Sequence, residues 1–463
     1  MQTTEVRFVV LFLFLYSGVE AKFRECGEFD PNGIVARTIK EDLKVLPFQD
    51  ELKKIFDAFD KNDNERMEEA YKSLENIEIN DVEDYAADVI KFVPDRIKSE
   101  GYPSEVHQVQ TDDGYKLQLH RIPYGKNSPK TDKPRPPVYL MHGFMDSSNG
   151  WIVLGPENSL AYLLADEGYD VWMGNARGTE PSREHVRLKP NGLKQKEFWS
   201  FSWHEIGVSD LPASIDYILN ETKFEKLSYV GFSQGTTSFF VLTSMRPEYN
   251  NKIIEANLLA PVALLKGHNS PLYSVIAHFY KPLKKVFEIL RIYKLTISNK
   301  LLLKISEVAC KKTVHSTPFA CNLVLSLLDS SQINCTSLPF ILVNTPAGAA
   351  LRQGIHYIQL IRDGGFRQFD YEDKKVNQKI YGSDTPPPYN LTQINVPVHF
   401  IHSKDDNTAS FENVMQMKTM LPNLKSTYLV PIADFSHVDF IYSRYLRKVN
   451  DHIIRNINKS NLK

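Results

Sequence analysis

Between about residue 81 and the C-terminus, short apolar runs alternate with turns and with longer stretches of helical spacing. Residues 106–110 and 115–121 flank Thr111-Asp112-Asp113-Gly114, and the Asp-Gly dipeptide marks a hairpin, because glycine tolerates the positive φ that tight hairpin turns need. The runs 138–141, 170–173, 227–230, 256–259 and 398–401 are largely apolar without alternation, the pattern of strands buried on both faces. Helix-like segments lie between several of them. Residues 210–220 carry Pro212 near the start, where a helix tolerates proline, and 236–245 and 440–449 follow two of the later turns. Strands alternating with helices predict an α/β chain with a mostly parallel central sheet and helices on both faces. Ligand chemistry in such sheets collects beyond the carboxyl ends of the strands.

Two intervals depart from the alternation. Between Pro261 and about Thr392 the chain is rich in amphipathic helical stretches, residues 275–295 among them, and reads as an inserted helical cap. Most of its apolar stripes are expected to face the core, and a minority to face a lipid-binding channel. The organisation that follows is a core in two parts, 81–261 and 393–463, around a cap over 262–392. The other interval, 22–80, is charged and helix-biased. Within it Asp60 to Asn64 resembles the start of a calcium loop, but Glu65 stands where the turn needs glycine and Tyr71 where a bidentate carboxylate is required, so calcium is not expected. A solvated helical pair or a removable prosegment fits this composition.

The first residues set an expectation of compartment. Arg7 precedes the apolar run 8–16, and Val19 and Ala21 satisfy the small-residue rule for cleavage after Ala21, so 1–21 reads as a secretory signal peptide. The run is too short for a membrane span, which takes about 20 apolar residues. A formal charge of −1 over 463 residues, with no long basic run, gives no reason to expect nucleic acid. Glycosylation sequons stand at Asn220, Asn334, Asn390 and Asn458. The four cysteines, Cys26, Cys310, Cys321 and Cys335, lack the paired spacing of a zinc site, and in an oxidising compartment a disulfide is the expectation. Cys310 with Cys321 is the preferred pair, with Cys26 and Cys335 left open.

Candidate chemistry centres on Gly231-Phe232-Ser233-Gln234-Gly235, lying between the run 227–230 and the helix-like 236–245. In a G-x-S-x-G turn the serine sits at a tight strand-to-helix corner, and the helix N-terminus behind it favours the negative charge that forms when a serine attacks an ester carbonyl. Such a serine needs a general base, and the base an orienting carboxylate, in the chain order Ser, Asp or Glu, His on the α/β-hydrolase fold. Asp405 and Asp406 fall in the loop just past the run 396–401. His437 lies between the strand-like 426–431 and the helix-like 440–449. His402 adjoins the acid rather than following it, and His315 and His356 fall in the cap, so structural roles suit these three. The oxyanion donors are expected to be the N–H groups of Phe144, just after His142-Gly143, and of Gln234, with the His142 side chain fixing the loop.

Further stretches carry a family resemblance: Gly101-Tyr-Pro-Ser-Glu-Val-His107, Asp113-Gly-Tyr-Lys-Leu-Gln-Leu-His-Arg-Ile-Pro123, Gly174-Asn-Ala-Arg-Gly178, Phe198-Trp-Ser-Phe-Ser-Trp-His-Glu-Ile-Gly207, Asp210-Leu-Pro-Ala213, Thr345-Pro-Ala-Gly348 and Phe366-Arg-Gln-Phe-Asp-Tyr371. With the serine turn they resemble the acid lipase family of α/β-hydrolases, over about Val82 to Lys448. The resemblance implies Ser233 as nucleophile, Asp406 rather than Asp405 as acid, His437 as base, and no metal or organic cofactor. It also implies hydrolysis of a neutral lipid ester at a lipid–water interface by a secreted or lysosomal enzyme. Two positions depart: Phe232 stands where the family's turn usually has histidine, and Phe144 where it commonly has leucine. The extension 22–80 has no counterpart. The alternatives are a non-catalytic lipid-binding or storage protein on the same fold, and an esterase of small soluble esters.

Overall fold

Residues that alternate or run apolar in sequence form eleven strands among the described residues. They are β1 (Glu105–Gln110), β2 (Tyr115–Ile122), β3 (Pro137–Met141), β4 (Asp170–Met173), β5 (Glu184–His185), β6 (Leu227–Phe232), β7 (Ile253–Leu259), β8 (Lys294–Leu295), β9 (Ala349–Ala350), β10 (Val398–His402) and β11 (Leu424–Leu429). The computed structural model describes residues 92–461 apart from 128–132, 193, 269–272, 274–276, 279, 290, 296–329, 331 and 334–336. The expected signal segment 1–21, the extension 22–80, all four cysteines, His315 and the Asn334 sequon lie outside the described residues. No helix among those described is long and apolar enough to cross a membrane.

One sheet runs in the order β1-β2-β4-β3-β6-β7-β10-β11, with β5 paired to β2. The pairings from β4 through β11 are parallel, whereas β1 and β2 form an antiparallel hairpin and β2 meets β4 antiparallel. The hairpin turns as its Asp-Gly dipeptide predicts, with Gly114 at φ 96° and its N–H donating to Thr111 C=O at 2.9 Å. The chain passes from β3 outward to β4, whereas β6 pairs on the other side of β3. That reversal leaves a crevice at the carboxyl ends of β3 and β6.

Both faces are covered, as neighbouring residues of β6 show, since successive side chains point to opposite sides. The Ser228 hydroxyl meets Asn461 on the helix Leu446–Asn461, whereas the Tyr229 ring packs 5.2 Å from Phe239 on the helix Gln234–Met245. Tyr139, Trp172, Tyr229, Phe239 and Phe240 are among the largest fully buried side chains, each contributing roughly 2–3 kcal/mol through removal from water.

Two helix expectations are corrected. The stretch 275–295 is not one helix: the described helix Tyr280–Ile289 ends before Arg291, which sits at φ 51°, and the chain turns to pair β8 antiparallel with β9. A left-handed residue ends the helical ladder, so the amphipathic period outruns the helix. The stretch 440–449 is likewise two helices, Asp439–Tyr442 and Leu446–Asn461. Between them Ser443 is extended and bridges to Ile333, and the Arg444 N–H donates to Gln332 C=O at 3.1 Å, a tertiary backbone contact that outcompetes the local helical bond.

Candidate active site

Ser233 follows β6 directly, at φ 49° and ψ −112°, a backbone conformation that residues with a side chain rarely adopt. Its surroundings hold it there. The Ser233 N–H donates to Leu259 C=O at 3.0 Å, and the Ser233 C=O accepts from Thr236 N–H (2.8 Å), Thr237 N–H (3.2 Å) and the Thr236 hydroxyl (2.6 Å). The two glycines of the turn act by having no side chain. A β-carbon at Gly231 would stand 2.9 Å from the Gly235 carbonyl carbon, and one at Gly235 would strike the Met141 carbonyl oxygen at the end of β3.

His437 bridges Ser233 and Asp406. Its Nε2 lies 2.8 Å from Ser233 Oγ, and its Nδ1 lies 2.9 Å and 3.0 Å from the two Asp406 oxygens. A carboxylate accepts only, so Nδ1 carries the proton and Nε2 is left to accept from the serine hydroxyl. Asp406 is buried just past β10, and its Oδ1 also accepts from the N–H groups of Thr408 (2.9 Å) and Ala409 (2.7 Å). Asp405 points away: it is exposed, and its Oδ2 accepts from Asp434 N–H at 2.9 Å. The loop before His437 is tied by Asp439, whose Oδ2 accepts from Ser436 N–H at 2.7 Å.

The loop after β3 packs on this group. A β-carbon at Gly143 would lie 3.3 Å from Ser233 Cβ and 2.8 Å from the Phe232 ring, so only glycine lets the loop come this close. Neither Phe144 N–H nor Gln234 N–H, the first of its helix, donates to a backbone carbonyl among the described residues. His142 fixes the loop. It accepts from Ala176 N–H at Nε2 (3.0 Å) and donates from Nδ1 to Gly143 C=O (2.7 Å), and burial, which penalises a charged ring, pushes it down to about 4 and keeps it neutral. Arg177, next to Ala176, is buried between Asp210 (2.7 Å) and Asp113 (2.6 Å) and lies over the Tyr115 ring, which anchors that support to the hairpin and to the helix Leu211–Thr222.

Apolar groups surround the serine. The Phe232 ring lies 5.3 Å from the His437 ring, and Phe144 meets Tyr357 edge-on at 5.9 Å. Tyr357 belongs to the helix Leu351–Asp363 within the 262–392 interval, and its hydroxyl donates to Thr237 at 3.1 Å. On the same helix, Gly354 lies against Leu295 and Phe144, which a β-carbon there would touch at 3.6 Å and 3.7 Å. The remaining histidines stand apart. His356 stacks on Trp203 at 3.6 Å and bonds to Ser202 and Arg367, and His402 packs against Phe411. Among the sequons, Asn220 and Asn390 are exposed. Asn458 is half-buried, its Oδ1 accepting from the Tyr169 hydroxyl at 2.6 Å. One buried carboxylate beside the loop, Asp146, is not singled out by the sequence reading. Only its lack of solvent and its partners from distant segments mark it.

Two family profiles match the chain. One, described as a partial alpha/beta-hydrolase lipase region, covers residues 93–155, and the other, described as an alpha/beta hydrolase fold, covers residues 136–285. Lipase 3 of Drosophila melanogaster is 40% identical over 366 residues, which are 78% of this chain and 91% of that one. Lipase 1 of the same organism is 39% identical over 352 residues, 75% of each chain. The gastric triacylglycerol lipase of Bos taurus is 37% identical over 351 residues, 74% of this chain and 85% of that one.

Proposed function

The chain belongs to the acid lipase family of α/β-hydrolases and is a carboxylic ester hydrolase, and we propose that it cleaves neutral lipid esters, triacylglycerol or cholesteryl ester, through an acyl-enzyme on Ser233. The observation that carries this is the chain of hydrogen bonds from Asp406 through His437 to Ser233 Oγ at the crevice between β3 and β6. His437 Nε2 takes the serine proton as Oγ attacks the ester carbonyl carbon. The carbonyl oxygen becomes an oxyanion facing the N–H groups of Phe144 and Gln234, donors already oriented and therefore free of reorganisation cost. The intermediate collapses, and the departing alcohol oxygen takes the proton back from Nε2. A water deprotonated by His437 then attacks the acyl carbon, which releases the fatty acid and restores the serine. Asp406 holds the imidazole tautomer throughout. No metal or organic cofactor enters this route.

Phe144, Tyr357 and Leu295 give the site apolar walls suited to an acyl chain. The interval 262–392 acts as a cap that excludes water until a lipid surface offers enough apolar contact to open it. The names of the relatives, with the signal-like residues 1–21, support passage through the secretory pathway, ending outside the cell or in the lysosome. The test is a turnover panel of triacylglycerol, cholesteryl ester and a soluble short-chain ester at acid and neutral pH, run on the wild type and on Ser233→Ala. We expect emulsified long-chain lipid to be cleaved and the variant to lose roughly 10⁴- to 10⁶-fold in turnover while staying folded. Near-native turnover by the variant would end the mechanism. Activity on the soluble ester alone would leave a small-ester esterase.

A further inference from the structure

Three residues separate Phe144 from a 3₁₀ turn, Ser148–Trp151, and one of them is the buried acid Asp146. Among the described residues no salt bridge involves it. Its Oδ1 accepts from Ser147 N–H (2.7 Å) and from the Thr345 hydroxyl (3.3 Å), and Thr345 Oγ1 in turn accepts from the Tyr442 hydroxyl at 2.9 Å, since each hydroxyl has one hydrogen to give. Gly150 leaves the space, since a β-carbon there would run into Asp146 Oδ2. Thr345 ends the cap helix Leu338–Asn344, and two residues on, the Ala347 N–H donates to Met145 C=O at 2.7 Å. Tyr442 lies on the short helix Asp439–Tyr442 that follows His437.

We infer that Asp146 is a positioning residue for ester hydrolysis, its carboxylate pinning the turn that carries Phe144 to the segment returning from the cap and, through Thr345, to the helix behind His437. This rests on the proposal that Phe144 N–H and His437 serve Ser233. Three segments distant in sequence meet here, and the relay of hydrogen bonds from Tyr442 through Thr345 to Asp146 and Ser147 fixes their mutual spacing. A neutral amide can keep its oxygen in the Oδ1 place but weakens both bonds, because an anionic acceptor holds N–H and O–H donors more strongly than an amide oxygen does, and it turns an NH₂ group to the Oδ2 side.

The fold holds this anion at a cost. Burial pushes Asp146 up to about 6, and the titratable group that faces it is Tyr442, itself pushed up by burial and by Asp146; Asp439, on the same helix, is turned to Ser330 and Ser436. A carboxyl with a raised folded value binds its proton more tightly in the folded chain than in the unfolded one. The stability it contributes is present in acid and is lost as pH rises toward and through about 6. Above that pH, Asp146→Asn should relieve the cost while spoiling the geometry, a combination that a merely structural residue does not give.

The experiment measures kcat and KM on a soluble short-chain ester at pH 8, with melting temperatures at pH 8 and pH 5, for Asp146→Asn, Thr345→Val, Tyr442→Phe and Ser233→Ala. For Asp146→Asn we expect kcat to fall about tenfold, short of the 10²- to 10³-fold loss of a whole oxyanion donor, with KM within about twofold. Its melting temperature should equal or exceed that of the wild type at pH 8, and its standing relative to the wild type should be lower at pH 5. Thr345→Val and Tyr442→Phe should each lower kcat about threefold, and they carry the test should Asp146→Asn fail to fold. Wild-type kcat in all three, with Ser233→Ala inactive, overturns the inference alone. A melting temperature that falls in step with kcat at both pH values overturns it too, in favour of a structural role. Activity in Ser233→Ala would instead remove the mechanism on which it rests.

Discussion

On the proposed mechanism, exchanging Asp406 for asparagine should reverse the direction of the hydrogen bond between His437 Nε2 and Ser233 Oγ. The two oxygens of Asp406 are not equivalent. Oδ1 accepts from Thr408 N–H and Ala409 N–H and lies 3.0 Å from His437 Nδ1, whereas Oδ2 lies 2.9 Å from the same nitrogen. The amide oxygen of asparagine must keep the Oδ1 place, because turning the NH₂ group there would set it against two N–H donors. The NH₂ then occupies the Oδ2 place and donates to His437 Nδ1. A ring nitrogen that accepts carries no proton, so the imidazole shifts its proton to Nε2, 2.8 Å from Ser233 Oγ, where it can no longer take the serine proton. The loss expected for a triad held in the wrong tautomer is about 10⁴ in kcat, or about 5 kcal/mol in the barrier. Folding should be little affected, since the backbone acceptor is retained and a neutral amide is cheaper to bury than an anion. Stopped-flow hydrolysis of a soluble short-chain ester gives the rate, and nitrogen NMR of the His437 ring reports the tautomer. Asp405→Asn, at an exposed side chain whose partner is Asp434 N–H, should change kcat by less than about threefold. Retention of more than about a hundredth of wild-type kcat in Asp406→Asn, or an equal loss in Asp405→Asn, would refute the reasoning.

Two further outcomes are expected. Peptide mapping of secreted protein should find glycans on the exposed Asn220 and Asn390 and none on Asn458, whose side chain is engaged by Tyr169 and whose sequon hydroxyl, on Ser460, donates to the buried Glu255 at 2.7 Å; full occupancy at Asn458 would show that the sequon is modified before this packing forms. His356 is pushed down to about 3 by burial, so between its ordinary 6.5 and that value the unfolded chain binds the extra proton and stability falls as pH falls, by about 2 kcal/mol between pH 7 and 5 for this residue; urea unfolding of His356→Gln should show lower stability at pH 7 but a shallower decline toward pH 5, and an equal decline would contradict this assignment.

The α/β class is readable in the chain because strands buried on both faces leave largely apolar runs without alternation, and β3, β4, β6, β7 and β10 all lie on such runs. The serine turn is readable because its backbone conformation restricts which residues fit: Gly231 and Gly235 stand where a β-carbon would meet backbone. Residue order along the chain also narrows the candidates for acid and base. Hydropathy periods carry no such information about where a helix stops. Arg291 and Ser443 end helices through a left-handed turn and through a backbone bridge to Ile333, neither of which leaves a mark in the pattern. Nor do residue types distinguish Asp405 from Asp406. One turns outward and the other inward because the amides of Thr408 and Ala409 converge on a single carboxylate, a consequence of how the loop past β10 closes. The same holds for Asp146, whose partner Thr345 lies 199 residues away in sequence and is itself bonded to Tyr442, a further 97 residues on. Local patterns encode what each segment can become on its own terms, strand, helix or tight turn. Contacts between distant segments decide which polar groups lose their water, and it is that loss which makes a carboxylate or an imidazole chemically distinct.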